Sequence, residues 1–182
     1  METHSSMAAK ILSAFRKRNQ RLLRKLNDDV LKATAMHCNL ACFNLAVFSY
    51  VMSKIVSKPR FLRPEYKSGL IGIERVFERL LERLDSANEA ELTQIFSELE
   101  AAIAHLEEKD ARFVVDLVTK GKLKMAATFY AQGMSLGVAA EMTGLEKQEI
   151  LDYAGETMMF DRLKAEKTIN ERMKIARKIL GG

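Results

Sequence analysis

The run from Val30 to Val56, VLKATAMHCNLACFNLAVFSYVMSKIV, limits what this chain can fold into more than any other stretch. Its apolar residues Leu31, Met36, Leu40, Phe43, Val47, Phe48, Val51 and Ile55 circle most of a helix instead of keeping to one stripe, so the helix must be covered on several sides. As one helix rising ~1.5 Å per residue, the run would span roughly 40 Å, long enough for several shorter amphipathic helices to pack along it. Phe43, Val47 and Phe48 are therefore expected in the core.

The rest of the sequence supplies the covering helices. Ala8 to Leu26 mixes Ile11, Phe15, Leu22 and Leu26 with Lys10, Arg16, Lys17, Arg18, Arg21, Arg24 and Lys25, a basic amphipathic helix whose long cations solvate its outer face. Asn27, Asp28 and Asp29 then offer N-cap residues for the central helix. That helix is expected to stop at Pro59, which disfavours helical geometry in the residue before it, while Pro64 suits the first position of the next helix. Leu70, Ile73, Val76, Phe77, Leu80, Leu81 and Leu84 keep helical spacing, as do Leu92, Ile95, Phe96, Leu99, Ile103 and Leu106. Between these two helices Ser86 and Glu89 fit a capping box, and so short a turn predicts an antiparallel pair. After a charged break at Glu107 to Asp110, a short helix is expected to end at Lys120-Gly121, and another to run from Lys122 to Gln132 with Gly133 as its C-cap. No alternating apolar pattern bounded by turn residues occurs. The fold class is all-α: a helical bundle over residues 1–108, then a smaller helical unit with a basic terminal helix over residues 109–182.

The totals narrow the setting. Of the 182 residues only two are proline and nine glycine, and 48% are apolar, which suits a packed helical protein. Cys38 and Cys42, one turn apart on a helix, do not meet disulfide geometry, and a reducing cytoplasm is the natural compartment. The opening METHSSMAAKILSAF has no continuous apolar core ahead of a small-residue cleavage site, so no secretory leader is expected. The most apolar run, Leu40 to Met52, falls short of the ~20 residues needed to cross a bilayer, so no membrane partner is expected. A net charge of +5 permits a polyanionic partner without requiring one.

One stretch carries a functional pattern. In SLGVAAEMTGLEKQEILDYA, from Ser135 to Ala154, Ala140 lets two helices approach closely and Gly144 supplies a tight turn. Leu145, Ile150 and Tyr153 give the second helix an inward face, and the whole follows a helix-turn-helix plan. Gly133, Ser135, Leu136, Ala139, Ala140, Glu141 and Gly144, followed by Glu149, Ile150 and Leu151, make this segment resemble the helix-turn-helix of small prokaryotic, mainly archaeal, antitoxin-like proteins. The resemblance spans residues 122–155 and says nothing of residues 1–110. It implies a regulator that binds DNA or a protein partner, and helix-turn-helix proteins usually pair as homodimers.

The charges depart from that family where a DNA groove would be met. Glu146, Lys147, Gln148, Glu149 and Asp152 would line it with three acids against one base, so phosphate contact has to come from elsewhere. Gln148 suits adenine, and Glu146 or Asp152 suits cytosine. The expected nucleic-acid contacts are Lys147 and Gln148 together with Arg162, Lys164, Lys167, Arg172, Lys174, Arg177 and Lys178 of a terminal helix from Met159 to Leu180, with Arg16 to Lys25 as a second basic source. Leu163, Ile169, Met173, Ala176 and Leu180 of the same terminal helix offer an apolar stripe for a homodimer. No catalytic signature or phosphate loop occurs, and no cofactor is expected. His37, Cys38, Cys42 and His105 form a conceivable zinc set, but without paired ligands at the usual loop spacing they are better read as packed side chains, so no metal is expected. The sequence thus points to a non-enzymatic regulator that binds nucleic acid, or to a protein-protein interaction module in which the same unit is structural or grips a protein partner.

Overall fold

One asparagine divides the apolar run in two. The computed structural model describes residues 3–36, 39–108 and 116–159. Within them Asn39 adopts extended backbone, and its side chain accepts the Cys42 N–H at 2.8 Å. The single helix expected from Val30 to Val56 is therefore two: α2, Gln20–Met36, and α3, Leu40–Val56. Asn27, Asp28 and Asp29 do not cap α3 but lie within α2. Asn27 is buried there and donates to the Ala46 carbonyl at 2.7 Å and to Ser49 Oγ at 2.9 Å, tying α2 to α3. Thirteen of the 17 residues of α3 are buried, among them Phe43, Val47 and Phe48. Its buried polar residues are satisfied along its own backbone: Asn44 donates to Leu40 O, Ser49 to Ala46 O and Ser53 to Tyr50 O.

The basic N-terminal helix is also interrupted. α1, His4–Arg16, ends in a turn where Arg18 takes a positive φ of 52°, and Asn19 then accepts the Leu22 N–H at the start of α2. Arg18 is held in this sparsely populated conformation by three contacts. Its guanidinium donates to Phe15 O at 3.0 Å, lies 4.9 Å from the centre of the Phe15 ring and pairs with Glu74 at 3.0 Å. The turn resets the helical phase, so Leu23 is fully buried whereas Leu22, expected inside, is 38% exposed.

Two 3₁₀ turns, Pro59–Leu62 and Pro64–Tyr66, lead into α4, Lys67–Arg83. Pro64 thus opens a 3₁₀ turn that runs directly into the helix expected there. α5 is Glu89–Glu107, and its N-cap is Asn88, which accepts the Glu91 N–H at 2.9 Å, in place of the capping box expected from Ser86. Ion pairs Arg83–Glu91 near the turn and Arg79–Glu98 farther from it run in opposite chain directions, the pattern of an antiparallel pair. Phe48 of α3 stacks on Phe96 of α5 with ring centres 5.8 Å apart.

The remaining helices are α6, Leu117–Ala131, α7, Leu136–Thr143, and α8, Lys147–Glu156. The break expected at Lys120-Gly121 is absent because Gly121 is a close-approach residue inside α6. A Cβ built on Gly121 would meet Val51 Cγ2 at 2.8 Å and Val47 Cγ1 at 3.3 Å, so the bare backbone lets α6 rest on α3. Phe129 of α6 meets Phe43 with centres 5.6 Å apart. Asp116 caps α6 by accepting the Thr119 N–H at 2.7 Å, and buried Glu107, at the end of α5, accepts the Leu117 N–H with both oxygens at 3.1 Å. Among the described residues there are eight α-helices and no strand, and no helix is long and apolar enough to cross a membrane. The terminal helix expected from Met159 to Leu180, with its apolar stripe, lies outside the described residues from 160 onward.

Two predictions follow from these contacts. Gly121→Ala should lose about 1–2 kcal/mol, overpacking against stiff Val51 outweighing the ~1 kcal/mol gained in helix propensity, whereas Gly72→Ala on α4, with open space at its Cβ, should gain about 0.5–1 kcal/mol. Urea unfolding of the two variants beside the parent chain checks the opposite signs. Burial, reinforced by Asp116, pushes the Glu107 carboxyl above its ordinary value of 4.5, against the opposing pull of the Leu117 N–H. The stability this group contributes is full below the ordinary value and is lost as pH rises through the raised one. Glu107→Gln keeps an acceptor for Leu117 and should flatten that decline in pH-dependent unfolding. Glu107→Ala strands the N–H and should cost about 1–3 kcal/mol.

Candidate nucleic-acid interface

The C-terminal helices form a second, smaller core on one side of α6. Ala126 and Ala127 of α6 pack with Ala139, Ile150, Ala154 and Met159, and Ala140, Leu145 and Tyr153 close in around them. The residues are small where helices meet, which allows backbones to approach. The same helix α6 sends Met125 and Phe129 into the main core, so one rigid element carries both clusters. α6 ends at Ala131 with Gln132 as its cap, and Gly133, expected as that cap, follows one residue later with φ 105°. Ser135 then caps α7 by accepting the Val138 N–H at 3.2 Å.

Gly144 sits between α7 and α8 with φ 69° and ψ 16°, left-handed geometry that favours glycine, and its N–H closes α7 on Ala140 O at 2.9 Å. Thr143, buried beside it, donates to Ala139 O at 2.7 Å and accepts the Leu145 N–H at 3.3 Å, fixing the path of the turn. Of the residues expected to shape this unit, Ile150 is fully buried, Ala140, Leu145 and Tyr153 are half-buried, and Gly144 forms the turn.

The outer face of α8 presents Lys147, Gln148 and Asp152, all exposed. Its acids have local work. Glu149 accepts the Glu146 N–H at 3.0 Å, and both carboxylates stand at the helix N-terminus, where the backbone dipole favours negative charge. Gln148 donates through Nε2 to Asp152 Oδ1 at 2.7 Å, which leaves its carbonyl oxygen and one N–H for an outside partner.

The other expected phosphate contacts divide. Arg162, Lys164, Lys167, Arg172, Lys174, Arg177 and Lys178 lie outside the described residues. In the N-terminal cluster Arg16 is engaged by Glu74 and Glu78 and Arg18 by Glu74, so these two serve the α1–α4 contact. Arg21, Arg24 and Lys25 of α2 are exposed. Sequence reading missed Tyr50, Lys54 and Lys124, which α3 and α6 bring together with Arg24 of α2: both lysine ammonium groups lie near the Tyr50 ring, at 5.2 and 4.3 Å from its centre. Their only signal was helical spacing, Tyr50 to Lys54 on one turn, and α6 had to be placed before Lys124 could join them.

His105, offered with the cysteines as a zinc ligand, is exposed on α5 with Nδ1 3.2 Å from Glu108, while Cys42 is buried with Sγ 2.8 Å from His4 Nε2. His37 and Cys38 lie outside the described residues, and no group of three or more potential ligands gathers among those described. Comparison with family models, curated proteins and solved structures finds no match to this chain.

The turn geometry gives a direct test of how the two short helices are held. Gly144→Ala meets no atom within 4 Å, so its cost is the left-handed backbone alone and should be about 1–2 kcal/mol. Gly144→Asn, which tolerates that conformation, should cost less. Thermal unfolding of the two variants distinguishes backbone strain from lost packing, because strain orders them by left-handed preference and packing orders them by size.

Proposed function

We propose that this chain is a non-catalytic, nucleic-acid-binding regulator, in which α7, the Gly144 turn and α8 supply selectivity and cations outside α8 supply phosphate contact. The observation that carries the reading is the pair of short helices joined at a left-handed glycine, packed on α6, with Lys147, Gln148 and Asp152 exposed along α8. The resemblance of residues 122–155 to antitoxin-like helix-turn-helix segments points the same way. Phosphate contact falls to the exposed cations of α2 and to Arg162, Lys164, Lys167, Arg172, Lys174, Arg177 and Lys178. The reading includes a homodimer, since paired units meet paired half-sites, and a cytoplasmic setting.

A second reading rests on one observation: from its N-cap to Asp152, the exposed residues of α8 include Glu146, Glu149 and Asp152 against Lys147 alone. That edge suits a basic protein partner better than a phosphate backbone, and in this reading the α7–α8 unit is an interaction module.

Fluorescence anisotropy with an arbitrary duplex separates the two. Nucleic-acid binding should weaken steeply between about 50 and 200 mM salt, and sedimentation of the complex should give two chains per duplex. Replacing Arg172, Lys174, Arg177 and Lys178 by glutamine should lower affinity for all sequences alike and flatten the salt dependence, whereas Gln148→Ala should change preference among sequences. Absence of binding at the lowest salt rejects the first reading and leaves the second.

A further inference from the structure

Three helices bring three cations to one cleft. Arg24 of α2, Lys54 of α3 and Lys124 of α6 line a cavity of about 290 Å³ together with Tyr50, Ser53 and a single carboxylate, Asp28. The Lys54 and Lys124 ammonium groups lie 5.2 and 4.3 Å from the centre of the Tyr50 ring, so the ring draws both charges to the same place. Charges of one sign gathered in a concave, partly desolvated site repel one another and concentrate a field that an entering anion relieves.

We propose that this cleft binds a phosphate group, with Arg24, Lys54 and Lys124 as its charge partners and Tyr50 as its neutral wall. The walls are fixed before any ligand arrives. Asn27, one turn along from Arg24, is hydrogen-bonded to Ala46 O and Ser49 Oγ, and Ser53 donates to Tyr50 O at 2.7 Å. Lys124 is carried on α6, whose next residue, Met125, is fully buried. The chemistry selects phosphate over a simple carboxylate. Three cations against one acid match a group that carries up to two charges and several acceptor oxygens, and the planar fork of arginine suits two of those oxygens at once. Burial pushes the Tyr50 hydroxyl up to about 12, so the wall stays uncharged at neutral pH and does not repel the anion. A cavity of this volume stands at the small end of ligand sites and admits a phosphate with part of the group esterified to it. The phosphate can belong to a nucleic-acid backbone or to a small phosphorylated molecule, and its binding here does not depend on α8 reading DNA.

Backbone amide shifts of the full chain, followed by NMR during titration with inorganic phosphate, with adenosine monophosphate and with adenosine, test the proposal. Saturable shifts near residues 24, 50–54 and 124 are expected with the two phosphates and not with adenosine. The double variant K54Q/K124Q should weaken them at least tenfold, and K67Q, at an exposed position on α4, should leave them unchanged. Arg24→Gln provides a second, exposed variant whose fold can be checked by circular dichroism. Duplex DNA distinguishes the sources: a matching loss of duplex affinity in K54Q/K124Q assigns the cleft to the backbone, and unchanged duplex affinity with lost monophosphate binding assigns it to a small molecule. Shifts that spread over surface lysines without saturating, or that persist at full strength in K54Q/K124Q, overturn the proposal. Failure of duplex binding alone would instead count against the regulatory reading of α8.

Discussion

The structure depends on hiding most of α3. Thirteen of its 17 residues are buried, and only a narrow edge with Tyr50 and Lys54 reaches the cleft. α1 and α2 cover part of it, α5 stacks Phe96 on Phe48, and α6 approaches so closely that Gly121 has no room for a side chain. Polar residues within α3 are tolerated because each turns its donor back onto the helix backbone, and the buried Asn27 of α2 adds its two hydrogen bonds to the same surface. Satisfied polar contacts of this kind add direction to a core that apolar burial alone would leave free to slide.

The helical spacing of the sequence carried the fold class and most of the buried positions, because amphipathic periodicity is a local property. Phe43, Val47, Phe48, Ile73, Phe77, Phe96 and Leu99 are all in the core. What spacing could not carry was where helices stop when neither proline nor glycine marks the stop. Arg18 takes a left-handed conformation because Phe15 and Glu74 hold its side chain, and Glu74 is far away in sequence. Asn39 starts α3 part-way through the apolar run with one side-chain hydrogen bond, although Asn27, Asp28 and Asp29 are equally good caps by residue type. The reverse error has the same origin. Gly121 reads as a helix end when its neighbours are unknown and as a close approach once Val47 and Val51 lie beneath it. The left-handed glycines at 133 and 144 were legible because they follow complete helical turns, where such residues commonly stand.

Position within the C-terminal unit was legible for a different reason. Ala140, Leu145, Ile150 and Tyr153 are spaced by the helix period around a glycine, and all four meet the small second core. The cationic cleft was not legible, since Arg24, Lys54 and Lys124 are separated by 30 and 70 residues and come together only when α2, α3 and α6 are packed. A charge count along the sequence credits Arg16 and Arg18 equally with Arg24. Packing removes the first two into ion pairs with α4 and leaves the third at the rim of a cleft.

The acids of α8 take on a different meaning once the helix is placed. Glu146 and Glu149 stand in its first turn, where they complement the dipole and satisfy a backbone N–H that the helix itself leaves open. That capping role holds whether or not the helix meets a ligand. Beyond that end effect the outer face keeps Lys147 and the Gln148–Asp152 pair, one turn apart. On the proposed nucleic-acid reading, phosphate contact then falls mainly to cations away from α8. α6 joins these two demands physically, because one side of it seats α8 through Ala126 and Ala127 while Lys124, one turn earlier, faces the cleft with Lys54 and Arg24. In the proposed reading the cleft rests on the packing of α2, α3 and α6, while the outer face of α8, a ten-residue helix, carries the contour that would meet a partner.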